Sequence, residues 1–408
     1  MNKIELLAPA GNMEKLKTAF YFGADACYFA GKSYGLRAFA GNFEEDELVE
    51  SVNYAHSLGK KAYVTMNILA HNNDFEHMKD YILYLDKIGV DAVIVADVGI
   101  IKLIREVAPN LDIHVSTQAN ITNKYSAKFF VDMGVKRLVL ARELSFEEIK
   151  EIKDSIPEDI EIETFVHGAM CISYSGRCLL SNYMTGRDSN HGECVQACRW
   201  CYSIKAQNKE DEYEVQEDNR GTYILNSKDL CMIEYLNKLI DIGVTSFKIE
   251  GRMKSPYYVA TVVNAYRRAL DLALKEKSNY VCPKSLIEEL TKTSHRKYTT
   301  GFYLHADNKE NLETSRTAQS HDFVAIVTNV EGGKVEIEQR NRFENTDTLE
   351  ILSPNDYFNK KIVLSNLKDE NGEKVEVANK VQQKLYFESD IPFHIGDILR
   401  MELKVAKK

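Results

Sequence analysis

The chain has 408 residues, of which 44% are apolar, 28% are charged and only 7 are proline. That composition is globular and leaves room for two or three domains; it excludes collagen-like, low-complexity and disordered material. With 52 Lys and Arg against 61 Asp and Glu the formal charge is −9, so the chain lacks the overall field of a generic nucleic-acid binder, and RNA recognition would need a local basic surface.

Up to about residue 275, short β-rich runs alternate with helical stretches. Strands are expected at Ile4–Ala8, Ala26–Ala30, Ala62–Asn67, Ala92–Asp97, Ile113–Gln118, Arg137–Ala141, Ile160–Val166 and Ser246–Glu250. Amphipathic segments such as Asn12–Phe22, Glu44–Leu58, Phe75–Ile88 and Phe146–Ile156 lie between them. Several helices close on a glycine just before the next strand, which is C-cap chemistry. Strongly apolar runs such as Ala92–Ala96 read as strands buried on both faces, as in a parallel sheet. Eight β/α units predict an α/β chain built on a (β/α)8, TIM-like barrel over residues 1–275; a doubly wound sheet is the alternative. Barrel chemistry sits at the C-terminal ends of the strands. Those ends carry Asn67, Gln118, Arg142, His167, Glu250 and Arg252, with Lys248 and Lys254 close by.

About sixty residues, roughly 167–228, separate the seventh strand from the next helix, which is expected to begin near Asp229 with Cys231 in its first turn. Loops of that length inside a compact domain are usually functional. A short strand is expected at Tyr223–Leu225, and the very polar stretch Gln207–Arg220 reads as solvated. Residues 276–320 read as a linker. From 321 to 408 short alternating runs divided by glycine turns predict a small antiparallel β domain resembling a barrel, with strands at Phe323–Thr328, Lys334–Gln339, Thr348–Ile351, Lys374–Ala378, Lys384–Phe387 and Asp397–Leu403.

The most informative feature is sulfur. Six of the eight cysteines (Cys171, Cys178, Cys194, Cys198, Cys201 and Cys231) fall in one segment, with Cys27 and Cys282 far away. Such clustering suggests metal ligation rather than disulfides. Soft thiolates converging on one point suit a [4Fe–4S] cluster, with zinc as the alternative and simple packing of buried thiols as the bland one. The spacing Cys194-x-x-x-Cys198-x-x-Cys201 resembles the radical S-adenosylmethionine signature, but that signature normally follows the first strand of its barrel and this one follows the seventh. His167 reads as a base, a substrate contact or a core residue. No H-E-x-x-H and no G-x-S-x-G are present, so a zincin or α/β-hydrolase mechanism finds no support. Three charges, Asp91, Asp97 and Lys102, interrupt the most apolar window, and the first residues show no secretory h-region. The expectation is therefore a cytoplasmic protein with no membrane partner.

The run Glu163-Thr-Phe-Val-His-Gly-Ala-Met-Cys171-Ile-Ser-Tyr-Ser-Gly-Arg-Cys178-Leu-Leu-Ser resembles the signature of the collagenase-like peptidase U32 family. Glu5–Gly11, Ser116–Gln118, Asn226–Cys231 and Lys248–Ser255 add to the match. The likeness spans the barrel and extends to the β-rich tail. It implies an iron–sulfur-dependent, oxygen-independent RNA hydroxylase, most similar to the branch that forms 5-hydroxyuridine at the wobble position of tRNA with prephenate as co-substrate. Ribosomal RNA hydroxylation and a U32-type protease are the alternatives. By position the implied cluster ligands are Cys171, Cys178, Cys194 and Cys231, with Cys198 the substitute and Cys201 an addition to the usual pattern. The site expected around them has His167, Glu250 and Arg252 as catalytic residues and Asn67, Gln118, Arg142 and Lys254 as substrate-binding ones. The implied partners are tRNA and an electron donor.

Overall fold

The computed structural model describes residues 4–36, 41–171, 173–174, 177–200, 217–218, 221–222, 228–304 and 317–403. Seven parallel strands come first: β1 (Glu5–Pro9), β2 (Ala26–Phe29), β3 (Lys61–Met66), β4 (Ala92–Val95), β5 (Asp112–Val115), β6 (Arg137–Val139) and β7 (Glu161–Ala169). The helices between them are α1 (Met13–Tyr21), α2 (Glu45–Ser57), α3 (Met78–Lys87), α4 (Val98–Val107), α5 (Lys124–Asp132) and α6 (Phe146–Lys153). Beyond β7 come α7 (Leu180–Thr185), the short hairpin β8 (Glu217–Asp218) and β9 (Gly221–Thr222), then β10 (Asp229–Cys231), α8 (Leu236–Asp241) and β11 (Ser246–Ile249). Strand β11 pairs in parallel with both β1 and β7 and so closes an eight-stranded barrel. The expected barrel is present.

Local chemistry sets these turns. The side chains of Asn12, Asp97, Asn123 and Ser145 accept hydrogen bonds from the first-turn amides of α1, α4, α5 and α6, satisfying donors that a helix start leaves free. At the other end of α3, Gly89 takes φ +80°, a conformation that costs glycine little. Buried aliphatic side chains such as Leu16, Val52, Ile82, Ile104 and Ile149 join the helices to the outer barrel face; each contributes about 1.5–3 kcal/mol on burial.

The sixty-residue connection departs from expectation. Residues 229–231 are a strand, not a helix start: β10 runs antiparallel to the end of β7, with Cys231 opposite His167 and Asp229 opposite Ala169. The cause is the length of β7, whose last residues project beyond the barrel rim and offer an unpaired edge. Asp229 also accepts a hydrogen bond from the Arg296 amide at 3.0 Å, and helix α8 begins only at Leu236. The expected strand at Tyr223–Leu225 and most of Gln207–Arg220, like Cys201, lie outside the described residues.

After α9 (Pro256–Glu276), the stretch expected to be a linker holds α10 (Lys284–Leu290) and β12 (Tyr298–Thr299), which pairs with β10. Leu286, Leu290 and Tyr303 are part of the barrel core. The C-terminal unit has β13 (His321–Glu331), β14 (Lys334–Gln339), β15 (Phe343–Glu344), β16 (Thr348–Leu352), β17 (Lys361–Val363), β18 (Val377–Ala378), β19 (Lys384–Glu388) and β20 (Ile398–Glu402). Six of these form one antiparallel sheet in the order β17-β16-β20-β13-β14-β19 around a separate apolar core. Fully buried Arg400 ties this sheet to α10: it donates to both carboxylate oxygens of Glu289, at 2.5 and 2.8 Å, and to Glu350.

Candidate active site

The barrel lumen is floored by ions. Arg137 on β6 donates to Glu5 Oε1 at 2.6 Å, to Glu163 Oε2 at 2.9 Å and to Glu161 at 2.6 Å. Lys248 on β11 pairs with the other oxygen of Glu163 at 2.7 Å. Burial alone would raise the Glu5 carboxyl, but Arg137 overrides it and holds the pKa below the ordinary value. One layer higher the Lys248 ammonium stands 4.4 Å from the Tyr28 ring centre and 5.4 Å from that of Phe165.

Above this floor a cavity of about 80 Å³ opens at the C-terminal ends of the strands, lined by Tyr28, Leu36, Thr65, Asn67, Gln118, Arg142, Lys248, Glu250 and Arg252 among others. Three cations face one carboxylate, Glu250, among the lining residues. The Tyr28 hydroxyl lies 3.4 Å from Glu250 Oε2 and donates to the Ile249 carbonyl at 2.9 Å. Arg252 is anchored on Thr65 Oγ1 at 3.1 Å and on the Leu36 carbonyl. Asn67 accepts from the Leu36 amide at 3.1 Å. Arg142 donates to the Ala169 carbonyl at 3.0 Å and lies over the Phe165 ring. Of the residues anticipated here, Asn67, Gln118, Arg142, Glu250 and Arg252 do come together. Lys248, expected close by as a cation near the strand ends, joins them, while Tyr28 and Thr65 were not anticipated; their signal is position, since each is the last inward residue of its strand.

Two anticipated residues are not at this cavity. Opposite β11, strand β7 carries a bulge: Lys248 faces Phe165, but Ile249 faces His167, so Val166 is extra. A bulge shifts side-chain parity by one. His167 therefore leaves the lumen and packs outside it, among the rings of Tyr258, Tyr266 and Tyr298. Burial first, then the charges of Lys254 and His295, push its pKa down to about 3, so the imidazole is neutral. It is a core residue, hydrogen-bonded to the Tyr266 hydroxyl at 3.3 Å. Lys254 likewise points away, to the Ser294 carbonyl at 3.1 Å and the Tyr258 ring.

A second cavity, of about 110 Å³, adjoins the first. Leu36, Gln118 and Arg142 line both, and the rest of the wall includes Cys171, Cys178, Cys194 and Cys198. The Cys178 sulfur accepts from the Leu180 amide and the Cys194 sulfur from the Gln196 amide, each at 3.4 Å. Amide donors of this kind favour thiolates and tune metal–sulfur sites. Cys231 is elsewhere. Cross-strand from His167, it lies on the outer face with its sulfur 3.8 Å from the Tyr266 hydroxyl, and burial pushes its thiol up to about 11. The four thiols that share a cavity thus include Cys198 in place of Cys231, because the same bulge that turns His167 outward carries its pairing partner with it. Among the described residues the wall offers sulfur and no carboxylate, a donor set suited to soft metal centres and not to Mg²⁺ or Ca²⁺. Among the described residues no three His, Cys, Asp or Glu side chains are drawn together at ligating geometry. Among the described residues lining either cavity there is no histidine to pair with a serine or cysteine nucleophile.

Comparison with known proteins bears on both halves of the molecule. Residues 11–313 match the model of peptidase family U32, and residues 319–400 match that of the U32 C-terminal domain. The chain is 41% identical to the tRNA hydroxylation protein P1 of Bacillus subtilis, covering 98% of this chain and 94% of that one. It is 38% identical to the tRNA hydroxylation protein P of Escherichia coli, covering 93% and 92%. It is also 38% identical to the 23S rRNA 5-hydroxycytidine C2501 synthase of Escherichia coli, covering 74% of this chain and 45% of that protein. With matches over both the barrel and the β-rich tail, the chain belongs to peptidase family U32.

Proposed function

We propose that this chain is an RNA-modifying hydroxylase that replaces the C5 hydrogen of a pyrimidine with a hydroxyl group, acting on the wobble uridine of tRNA. The observation that carries this reading is the shared wall: a cavity lined by four cysteines and a cavity lined by three cations meet at Leu36, Gln118 and Arg142. The names of the near-full-length relatives point the same way.

In this reading Cys171, Cys178, Cys194 and Cys198 hold a [4Fe–4S] cluster. When bound, the cluster supplies electron transfer or polarisation of an oxygen donor; zinc on the same sulfurs would supply no electron transfer. The chain's own residues do the rest. Arg142, Lys248 and Arg252 bind and orient an anionic co-substrate, and a dicarboxylate such as prephenate matches their charge. Glu250 is the carboxylate positioned to take a proton at the reacting base, with the Tyr28 hydroxyl beside it. Unpaired wobble bases are accessible without groove readout. Replacing C5–H with C5–OH at the expense of water releases two protons and two electrons, so an external two-electron acceptor completes the cycle.

Anaerobic purification with iron and sulfide assays tests the cluster, and nucleoside analysis of tRNA from a strain lacking this chain and every paralogue tests the reaction. The expected result is loss of 5-hydroxyuridine-derived nucleosides, restored by the wild-type chain and not by Cys171→Ala. An unchanged nucleoside pool rejects the tRNA reading. A hydroxycytidine missing from ribosomal RNA would redirect it to that substrate, and peptide cleavage that survives Cys171→Ala would replace it with a peptidase.

A further inference from the structure

We propose that the cysteine-bearing segment is also the docking surface for single-stranded RNA, with unpaired bases stacking on its outer aromatic side chains. This rests on the RNA-hydroxylase reading and names the surface that reading leaves open. Helix α7 packs on the turn Ala197–Arg199. Ser181 ties the unit together, donating to the Arg187 carbonyl at 2.8 Å and accepting from the Val195 amide at 3.2 Å. Cys178, Cys194 and Cys198 belong to the same segment and line the second cavity. In the same segment Tyr183 is 90% exposed, Trp200 41%, and Tyr174 and Leu179 are also open to solvent. Large apolar side chains gathered at one exposed place mark an interaction surface.

Two contacts fix this unit over the barrel mouth. Arg177 Nε donates to the Gln118 carbonyl at 3.4 Å, and the Leu69 amide donates to the Asn190 carbonyl at 3.3 Å. A strand of RNA lying on Tyr183 and Trp200 would therefore have its next base beside both cavities. Charge agrees. In a chain of net charge −9, residues 171–200 carry three arginines against two acids, so this segment does not add to the repulsion of a polyanion. Tyrosine and tryptophan interleaved with arginine suit the faces of unpaired bases; a duplex hides those faces in its stack.

The test uses the full-length protein and two fluorescently labelled probes, an unmodified tRNA transcript and a duplex RNA of equal length. Tyr183→Ala and Trp200→Ala should each weaken tRNA binding about tenfold. Tyr183→Phe should retain it, Tyr183→Leu should not, and the iron content of all variants should equal that of wild type. Unchanged affinity in both alanine variants overturns the surface, as does leucine serving as well as phenylalanine, or an effect confined to self-association by sedimentation. If wild type modifies tRNA and the variants match it, the surface alone fails; if wild type binds no tRNA, the hydroxylase reading fails with it.

Discussion

The floor of the barrel and the sulfur-lined chamber above it lie a few residues apart along β7 and are built in opposite ways. The floor is held by side chains from distant strands: Glu5, Arg137, Glu161, Glu163, Ser246 and Lys248 satisfy one another in a network closed from every side. The chamber is held by local contacts, such as the Leu180 amide on the Cys178 sulfur and the Asn190 side chain on the Cys178 carbonyl at 3.3 Å. Its four thiols line one cavity, and among the described residues no three of them are drawn together at ligating geometry. The difference teaches that the cation-lined pocket is preorganised by contacts between distant strands, whereas the cysteine-lined chamber is held by contacts within its own segment.

Six substitutions would break or sharpen that contrast, ordered by their expected effect on stability. Arg137→Met leaves Glu5 and Glu163 buried with Lys248 as their remaining cation and half-buried Glu161 without its partner, and should cost about 3–5 kcal/mol by urea denaturation. A loss well below that range would mean the floor is not what holds the lumen. Gly168→Ala acts where floor passes into chamber. Gly168 has φ +106°, and a Cβ there would meet the Glu250 carbonyl at 2.5 Å, so the change should cost about 1–3 kcal/mol. It should also displace Glu250, lowering activity even under conditions where the protein stays folded.

His114 offers a pH handle on the floor. It is buried beside Tyr63, with ring centres 4.7 Å apart, and its Nδ1 has no hydrogen-bond partner among the described residues. Burial, then the charges of Arg137, Lys248 and Lys61, hold its pKa well below 6.5. The folded state therefore keeps it neutral, while the unfolded chain takes up a proton near 6.5. Its contribution is complete above that pH and is lost as pH falls below it, by about 1.4 kcal/mol per pH unit. His114→Gln should flatten the fall in urea midpoint between about pH 7 and about pH 5.5 relative to wild type. Parallel slopes would show that the imidazole is already charged in the fold.

The chamber should respond in the reverse sense. Cys171→Ser and Cys198→Ser should abolish iron retention and hydroxylation, yet shift the barrel's unfolding free energy by no more than about 1 kcal/mol, since they remove no packed core residue. Cys231→Ser should leave the iron content intact. If Cys231→Ser loses iron and Cys198→Ser keeps it, the ligand set returns to the one implied by position in the family.

Much of this molecule was legible in its sequence. The alternation of apolar runs with amphipathic helices that close on glycine specified eight barrel strands, because C-capping and strand burial are local or periodic properties. The thiols clustered between Cys171 and Cys198, and the polar strand ends that became the mouth (Asn67, Gln118, Arg142, Glu250 and Arg252), could be read for the same reason. The tertiary structure decided which face each residue near the rim presents. One extra residue at Val166 inverts the parity of everything after it on β7, sends His167 and its cross-strand partner Cys231 to the outer face, and leaves Cys198 to complete the chamber. Likewise the edge of an overlong β7 drew residues 229–231 into a strand where a helix start was expected. Spacing along a chain fixes the period of a pattern but not its phase, and phase is set by the neighbouring strand.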